Sequence, residues 1–202
     1  MGALPVATRA AIVLTVLLAP GCAAKGHIAT PEEIARLQRA AGLSASGRIT
    51  LSGPQGKFRT RFLFGVARPD ALRIEIPSGA GLRFLLVARD GRLRADLPSD
   101  DAMFEGPETR EVMEKLFGID IEPRDLVSAL LGSPPDSMTV EWRFEALKPA
   151  KMSLDARNGT RLSMTLDDPD VEPPAARAFE PGPARRTALS LREMADRLGL
   201  KR

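Results

Sequence analysis

"GRITLSGPQGKFRTRFLFGVARPDALRIEIP", residues 47–77, decides the fold. Ile49 and Leu51 alternate with Arg48 and Thr50. Further on, Phe58, Phe62, Phe64 and Val66 share one face and leave Arg59 and Arg61 on the other. Leu72, Ile74 and Ile76 then alternate with Arg73 and Glu75. A period of two means strands that bury one side and wet the other, and "SGPQG" and "RPD" supply the turns between them. The code continues through "LRFLLVAR" (82–89) and "RLRADLP" (92–98). It returns after residue 137 at Val140, Trp142 and Phe144, then Met152 and Leu154, then Leu162, Met164 and Leu166. At least eight such strands predict one antiparallel sheet wide enough to curl.

The apolar side of that sheet needs a cover. In "EGPETREVMEKLFGIDIEPRDLVSALLGSPP", residues 105–135, Pro107 with Glu108 is expected to open one helix. Its stripe is Val112, Met113, Leu116 and Phe117, and Gly118 ends it. Pro123 opens a second helix that turns Leu126, Val127, Leu130 and Leu131 inward. Ahead of the sheet, "TPEEIARLQRAAG" (30–42) reads as a helix with Thr30 and Glu33 as a capping box and Gly42 as its stop. The expected class is therefore α+β: a curved antiparallel sheet forming an incomplete β-barrel, with short helices plugging the concave face. The proline-rich stretch 167–186 reads as an extended edge or linker. Residues 190–198 then read as a short helix with a second capping box, Ser190 and Glu193.

At the other end, residues 10–19 ("AAIVLTVLLA") are uncharged and preceded by a single charge, Arg9. That is the layout of an export signal and is too short to span a bilayer. "LAPGC", residues 18–22, resembles the bacterial lipobox, which implies that Cys22, the only cysteine in the chain, carries lipid and becomes the new N-terminus. An unpaired cysteine in an exported chain fits that use. The expected division is a signal at 1–21, a tether at 22–29, a binding domain at 30–167 and an extension at 168–202. Removing the signal takes away one arginine and lowers the net charge from +3 to about +2, which is no signature of nucleic-acid binding.

Little in the sequence suggests bond-making chemistry. With one histidine, His27 in the tether, and no tyrosine, neither nucleophile–histidine systems nor zinc sites find their residues. Asp100–Asp101 and Asp167–Asp168 read as solvated turn formers. No catalytic residue, metal site or cofactor is expected. The wet faces carry Arg48, Arg59, Arg61, Arg73, Arg83, Arg92 and Arg94. A solvated sheet surface explains them, and contact with anionic lipid head groups or an acidic partner is the other reading. The inner face holds Phe62, Phe64, Trp142, Met152 and Met164, large or adaptable side chains that suit a plain core or an apolar cavity.

Residues 44–132, and "LFGIDIEPRDLVSALLG" (116–132) most specifically, resemble the LolB family of outer-membrane lipoprotein receptors and the related periplasmic lipoprotein carriers. The resemblance implies a half-barrel whose cavity takes lipoprotein acyl chains. It would be lined here by Ile49, Phe62, Phe64, Ile74, Ile76, Leu86, Leu116, Leu126, Leu130, Trp142 and Met164. It implies a membrane-insertion loop at "PSGAGL" (77–82), where this chain offers Ala80 or Leu82. The implied partners are acylated lipoproteins, a soluble periplasmic carrier and the outer membrane, reached through Cys22, with the protein a monomer facing the periplasm. The alternative is an envelope scaffold of the same fold with a packed interior.

Overall fold

The computed structural model describes residues 26–54, 56–79, 81–180 and 186–198. Cys22 and Ala80 lie outside them. In chain order the strands are β1 (His27–Ile28), β2 (Gly42–Gly53), β3 (Gly56–Ala67), β4 (Ala71–Ser78), β5 (Gly81–Arg89) and β6 (Arg92–Leu97). They continue as β7 (Ala102–Pro107), β8 (Thr139–Glu145), β9 (Lys148–Asp155), β10 (Arg161–Asp170) and β11 (Thr187–Ala188). The helices are α1 (Pro31–Arg39), α2 (Arg110–Phe117), α3 (Pro123–Leu130) and α4 (Leu191–Arg197). All eleven strands join one sheet in the order β1-β8-β9-β10-β2-β3-β4-β5-β6-β7-β11. Every pairing is antiparallel except β11 on β7. The terminal strands β1 and β11 do not pair with each other, so the curved sheet stays open, an incomplete barrel.

Alternation sets the two faces as the sequence predicts. Phe62, Phe64 and Val66 of β3, Leu72 of β4, Phe84 and Leu86 of β5 and Leu93 and Ala95 of β6 enter one buried cluster. Trp142, Met152, Leu154 and Met164 from the other half of the sheet join them there. Val112, Met113 and Leu116 of α2 and Leu126, Val127 and Leu130 of α3 fill the same cluster from the inner side. Arg68 ties two helix ends together. Its guanidinium donates to the Ala40, Gln38 and Leu131 carbonyls at 3.1, 3.0 and 3.2 Å, acceptors that helix C-termini leave without intrahelical partners.

Four expectations change. Pro107 ends β7 instead of opening α2, whose cap is Thr109, accepting from the Val112 amide at 3.4 Å. The strand at 102–107 is hidden in the sequence because Gly106 and Pro107 interrupt its alternation. Gly42 does not stop α1, which ends at Ala40 in extended backbone; it starts β2. Glycine is needed there because a Cβ would fall 2.5 Å from the Val66 carbonyl oxygen and from Cα of Pro173. His27 is exposed, as a solvated residue should be, but it is held in place: it pairs with Phe144 in the sheet, and its Nε2 sits 2.9 Å from Glu33.

Arg94 is the fourth change. With Asp96 it lies on the outer face, yet the two are only 6 % and 2 % exposed. The Arg94 guanidinium donates to Asp96 at 3.0–3.2 Å, and Arg186 approaches the same carboxylate at 3.5 Å. They are buried because the proline-rich tail crosses that face. Phe179 packs with Ala71, Leu85 and Val87, Pro174 lies against Gly65, and Arg73 donates to the Ala178 carbonyl at 2.8 Å. The described tail residues thus lie over β3–β5 up to Glu180 and reach β6 again at Arg186, and α4 beyond them packs on α2 and β7, burying Met194.

Candidate functional site

Between the end of the β2–β3 hairpin and the C-terminus of α2 lies an apolar cleft of about 290 Å³. Strand residues Leu51, Phe58, Ile76 and Phe84 line it, with Leu116 and Phe117 of α2 and Leu198 just beyond α4. Position along each element explains the gathering. Leu51 and Phe58 stand opposite each other in the β2–β3 register, and Ile76 opposes Phe84 across β4–β5. α2 stops at Gly118 in the left-handed region (φ +69°), so Phe117 is its last side chain and rests edge-on against Phe84 at 5.6 Å.

Polar groups brace one wall. The Gly118 carbonyl accepts from the Thr160 hydroxyl at 2.8 Å and from Asn158 at 3.0 Å, which fixes the α2 end against the β9–β10 turn. Gly53 makes room for Thr160, since a Cβ there would lie 2.7 Å from its hydroxyl oxygen. At the mouth, Phe58 is 45 % exposed beside Lys57. A hydrocarbon chain entering here meets aliphatic and aromatic walls and leaves its polar end near an ammonium group.

The sequence-based cavity residues divide. Ile76 and Leu116 line this cleft. Ile49, Phe62, Phe64, Leu86, Leu126, Leu130, Trp142 and Met164 are buried in the packed core, and Ile74 packs against it partly exposed. Leu82, from the expected insertion loop, is half-buried against the cluster around Phe179. Leu51, Phe58, Phe84, Phe117 and Leu198 are legible in the sequence as members of apolar stripes but not as site residues. The signal that marks them is place: all but Phe84 sit at or near the end of an element, where a stripe runs out of partners.

One perturbed acid lies elsewhere. Glu108, between β7 and α2, has both carboxylate oxygens buried, and the nearby Gly91 and Arg124 amides complete no hydrogen bond with them. Burial first, and the charge of Asp70 second, push its carboxyl up to about 7. Below about 4.5 it is protonated in folded and unfolded chains alike. From there to about 7 only the unfolded chain ionises, so stability falls as pH rises through this window. Allowing for partial exposure, the loss should be about 1–2 kcal/mol. Glu108→Gln should flatten that slope in urea melts, and an unchanged slope would assign it to other groups.

No family model matches this chain and no curated protein does. Among solved structures it is similar to an uncharacterized conserved protein of Thermus thermophilus at 9% identity, covering 78% of this chain and 96% of that one (TM-score 0.43). It is also similar to a LolA superfamily protein of Nitrosomonas europaea at 6% identity, covering 74% and 96% (TM-score 0.40). A third is a domain of Vibrio parahaemolyticus described as an outer membrane lipoprotein-sorting protein, at 11% identity, covering 69% and 88% (TM-score 0.36). No helix among the described residues is long and apolar enough to cross a membrane.

Proposed function

We propose that this protein is a non-catalytic envelope lipoprotein, anchored through Cys22 to the outer membrane. Its end cleft receives an acyl chain of another lipoprotein delivered by a soluble periplasmic carrier. The cleft carries this reading: it is the place where apolar side chains from the sheet, α2 and the α4 end converge without filling the space between them. The LolB-like pattern of residues 44–132 supports the choice of cargo. At about 290 Å³ the cleft lies at the small end of ligand sites, which run from roughly 300 to 1,000 Å³, so it suits part of one chain. Each methylene it removes from water contributes about 0.8 kcal/mol. Within this reading Leu82 and residue 80 are the candidate insertion loop, and residues 30–167 the binding unit.

The test is titration with a fluorescent fatty-acyl probe. Ile76→Glu places a carboxylate at a partly exposed cleft position and should weaken binding about 10–60-fold, the equivalent of two or three methylenes left in water. Leu51→Glu, on β2 of the same cleft, is the second variant. A folded Ile76→Glu protein with unchanged affinity would remove the cleft from consideration.

A second reading, the packed scaffold, is favoured by the buried Trp142, Phe62 and Phe64 that fill the barrel interior. It gains if the native protein binds no acyl probe.

A further inference from the structure

On the sheet face opposite the helices, six residues stand directly across from one another in six successive strands: Ile28, Arg143, Lys151, Thr165, Arg48 and Arg61. Four are cations, and all four are exposed. Arg143 meets Lys151 and Arg48 meets Arg61, although like charges directly opposite each other destabilise a sheet. Arg143 has Glu141 at 3.0 Å. Among the described residues, no ion pair includes Lys151, Arg48 or Arg61. Local carboxylates therefore pair with one of the four cations and leave the other three.

The chain path says what could. β1 runs antiparallel to β8, His27 opposite Phe144 and Ile28 opposite Arg143. Followed backward, the chain passes Gly26, packed on the Phe144 carbonyl, toward the β8–β9 turn. Cys22 is four residues before Gly26, a reach of at most about 14 Å. That turn presents Leu147, 66 % exposed and held in the left-handed region at φ +67°, and Ile28 at the end of the cation row is 64 % exposed. Two exposed aliphatic side chains thus lie at the sheet edge that holds Gly26, the first described residue after Cys22, and unneutralised cations extend inward from it.

We propose that this face, from Ile28 and Leu147 along the row to Arg61, rests on the anionic phospholipid surface of the bilayer that holds the anchor. Its orientation relies on Cys22 as the lipid site and not on the cleft. Anchor, aliphatic edge and cation row together hold the sheet side-on to the membrane. Each cation near an anionic surface raises partitioning about fivefold, and salt screens the effect.

The experiment uses the chain from residue 22 with Cys22→Ala, which retains every described residue. It measures co-flotation with vesicles of phosphatidylethanolamine and phosphatidylglycerol against vesicles of phosphatidylcholine. Binding should require phosphatidylglycerol and fall with salt. Arg48→Gln/Lys151→Gln/Arg61→Gln should lower it about 100-fold, and Leu147→Glu about tenfold. Arg39→Gln/Arg124→Gln/Arg192→Gln removes the same charge from helices α1, α3 and α4 and should change little. Ile76→Glu should bind vesicles normally, so failure of the cleft and failure of this face are told apart. Equal loss in both triple variants would reduce the effect to net charge and overturn the proposal. So would absence of binding to phosphatidylglycerol vesicles, which leaves an acidic protein as the partner for the row.

Discussion

Trp142→Ala is expected to lower the unfolding free energy by about 3–5 kcal/mol, the usual cost of emptying a large buried site. Trp142 is 3 % exposed. It stands on the inner face of β8 opposite Met152, meets Phe144 edge-on at 6.5 Å, and donates its indole N–H to the Ala129 carbonyl in the last turn of α3 at 3.4 Å. One side chain thus joins β8, β9 and α3, and truncation leaves both a void and a carbonyl without its donor. Urea denaturation gives the number. A loss under about 1 kcal/mol would mean that the neighbours are loosely packed and that the barrel interior, not its end, has room for a ligand. Acyl-probe affinity should stay unchanged in the folded variant, because Trp142 does not line the cleft.

Asp96→Ala should cost a similar amount, about 3–5 kcal/mol, because removing one partner of a buried ion pair strands the other charge. Here it strands Arg94, 6 % exposed, and frees Arg186 as well. The consequence should be local as well as global. Arg186 directly precedes β11, so the tail loses a tie and protease should cut within residues 171–188 faster than in the native chain. A neutral substitution with unchanged cleavage would show that the cluster does not hold the tail.

Sequence patterns are a good guide to this fold where a single physical rule governs. Period-two alternation in a half-buried sheet leaves little freedom, and Phe62, Phe64, Leu72 and Leu86 point inward as their spacing requires. Capping chemistry is equally local: Thr30 with Glu33 and Ser190 with Glu193 form the boxes their spacing predicts. The failures depend on contacts between distant segments. Arg94 alternates like a solvated residue, and only the tail reaching β6 at Arg186 buries it. Gly42 reads as a helix stop, yet its role comes from the close approach of Val66 and Pro173. The cleft is obscured for the same reason. Inner-face alternation gives every apolar residue equal standing, whereas which ones remain unfilled depends on how far α2 and α3 reach into the barrel. Of the cation row only Arg48 and Arg61 are among the arginines that the sequence places on wet faces, because alignment across strands is a property of register, which no single strand encodes.

An acyl chain is expected to enter at the end of the barrel and not its middle. Photo-crosslinking with a fatty acid bearing a diazirine along its chain, followed by mass spectrometry of the labelled peptides, tests this most directly. Label should fall on Leu51–Phe58 and on the α2 end at Leu116–Gly118, and at probe concentrations below saturation Ile76→Glu should lower it about 10–60-fold. Label concentrated on Phe62–Val66 or Leu126–Leu130, or no label on a folded protein, would contradict the end cleft as the site.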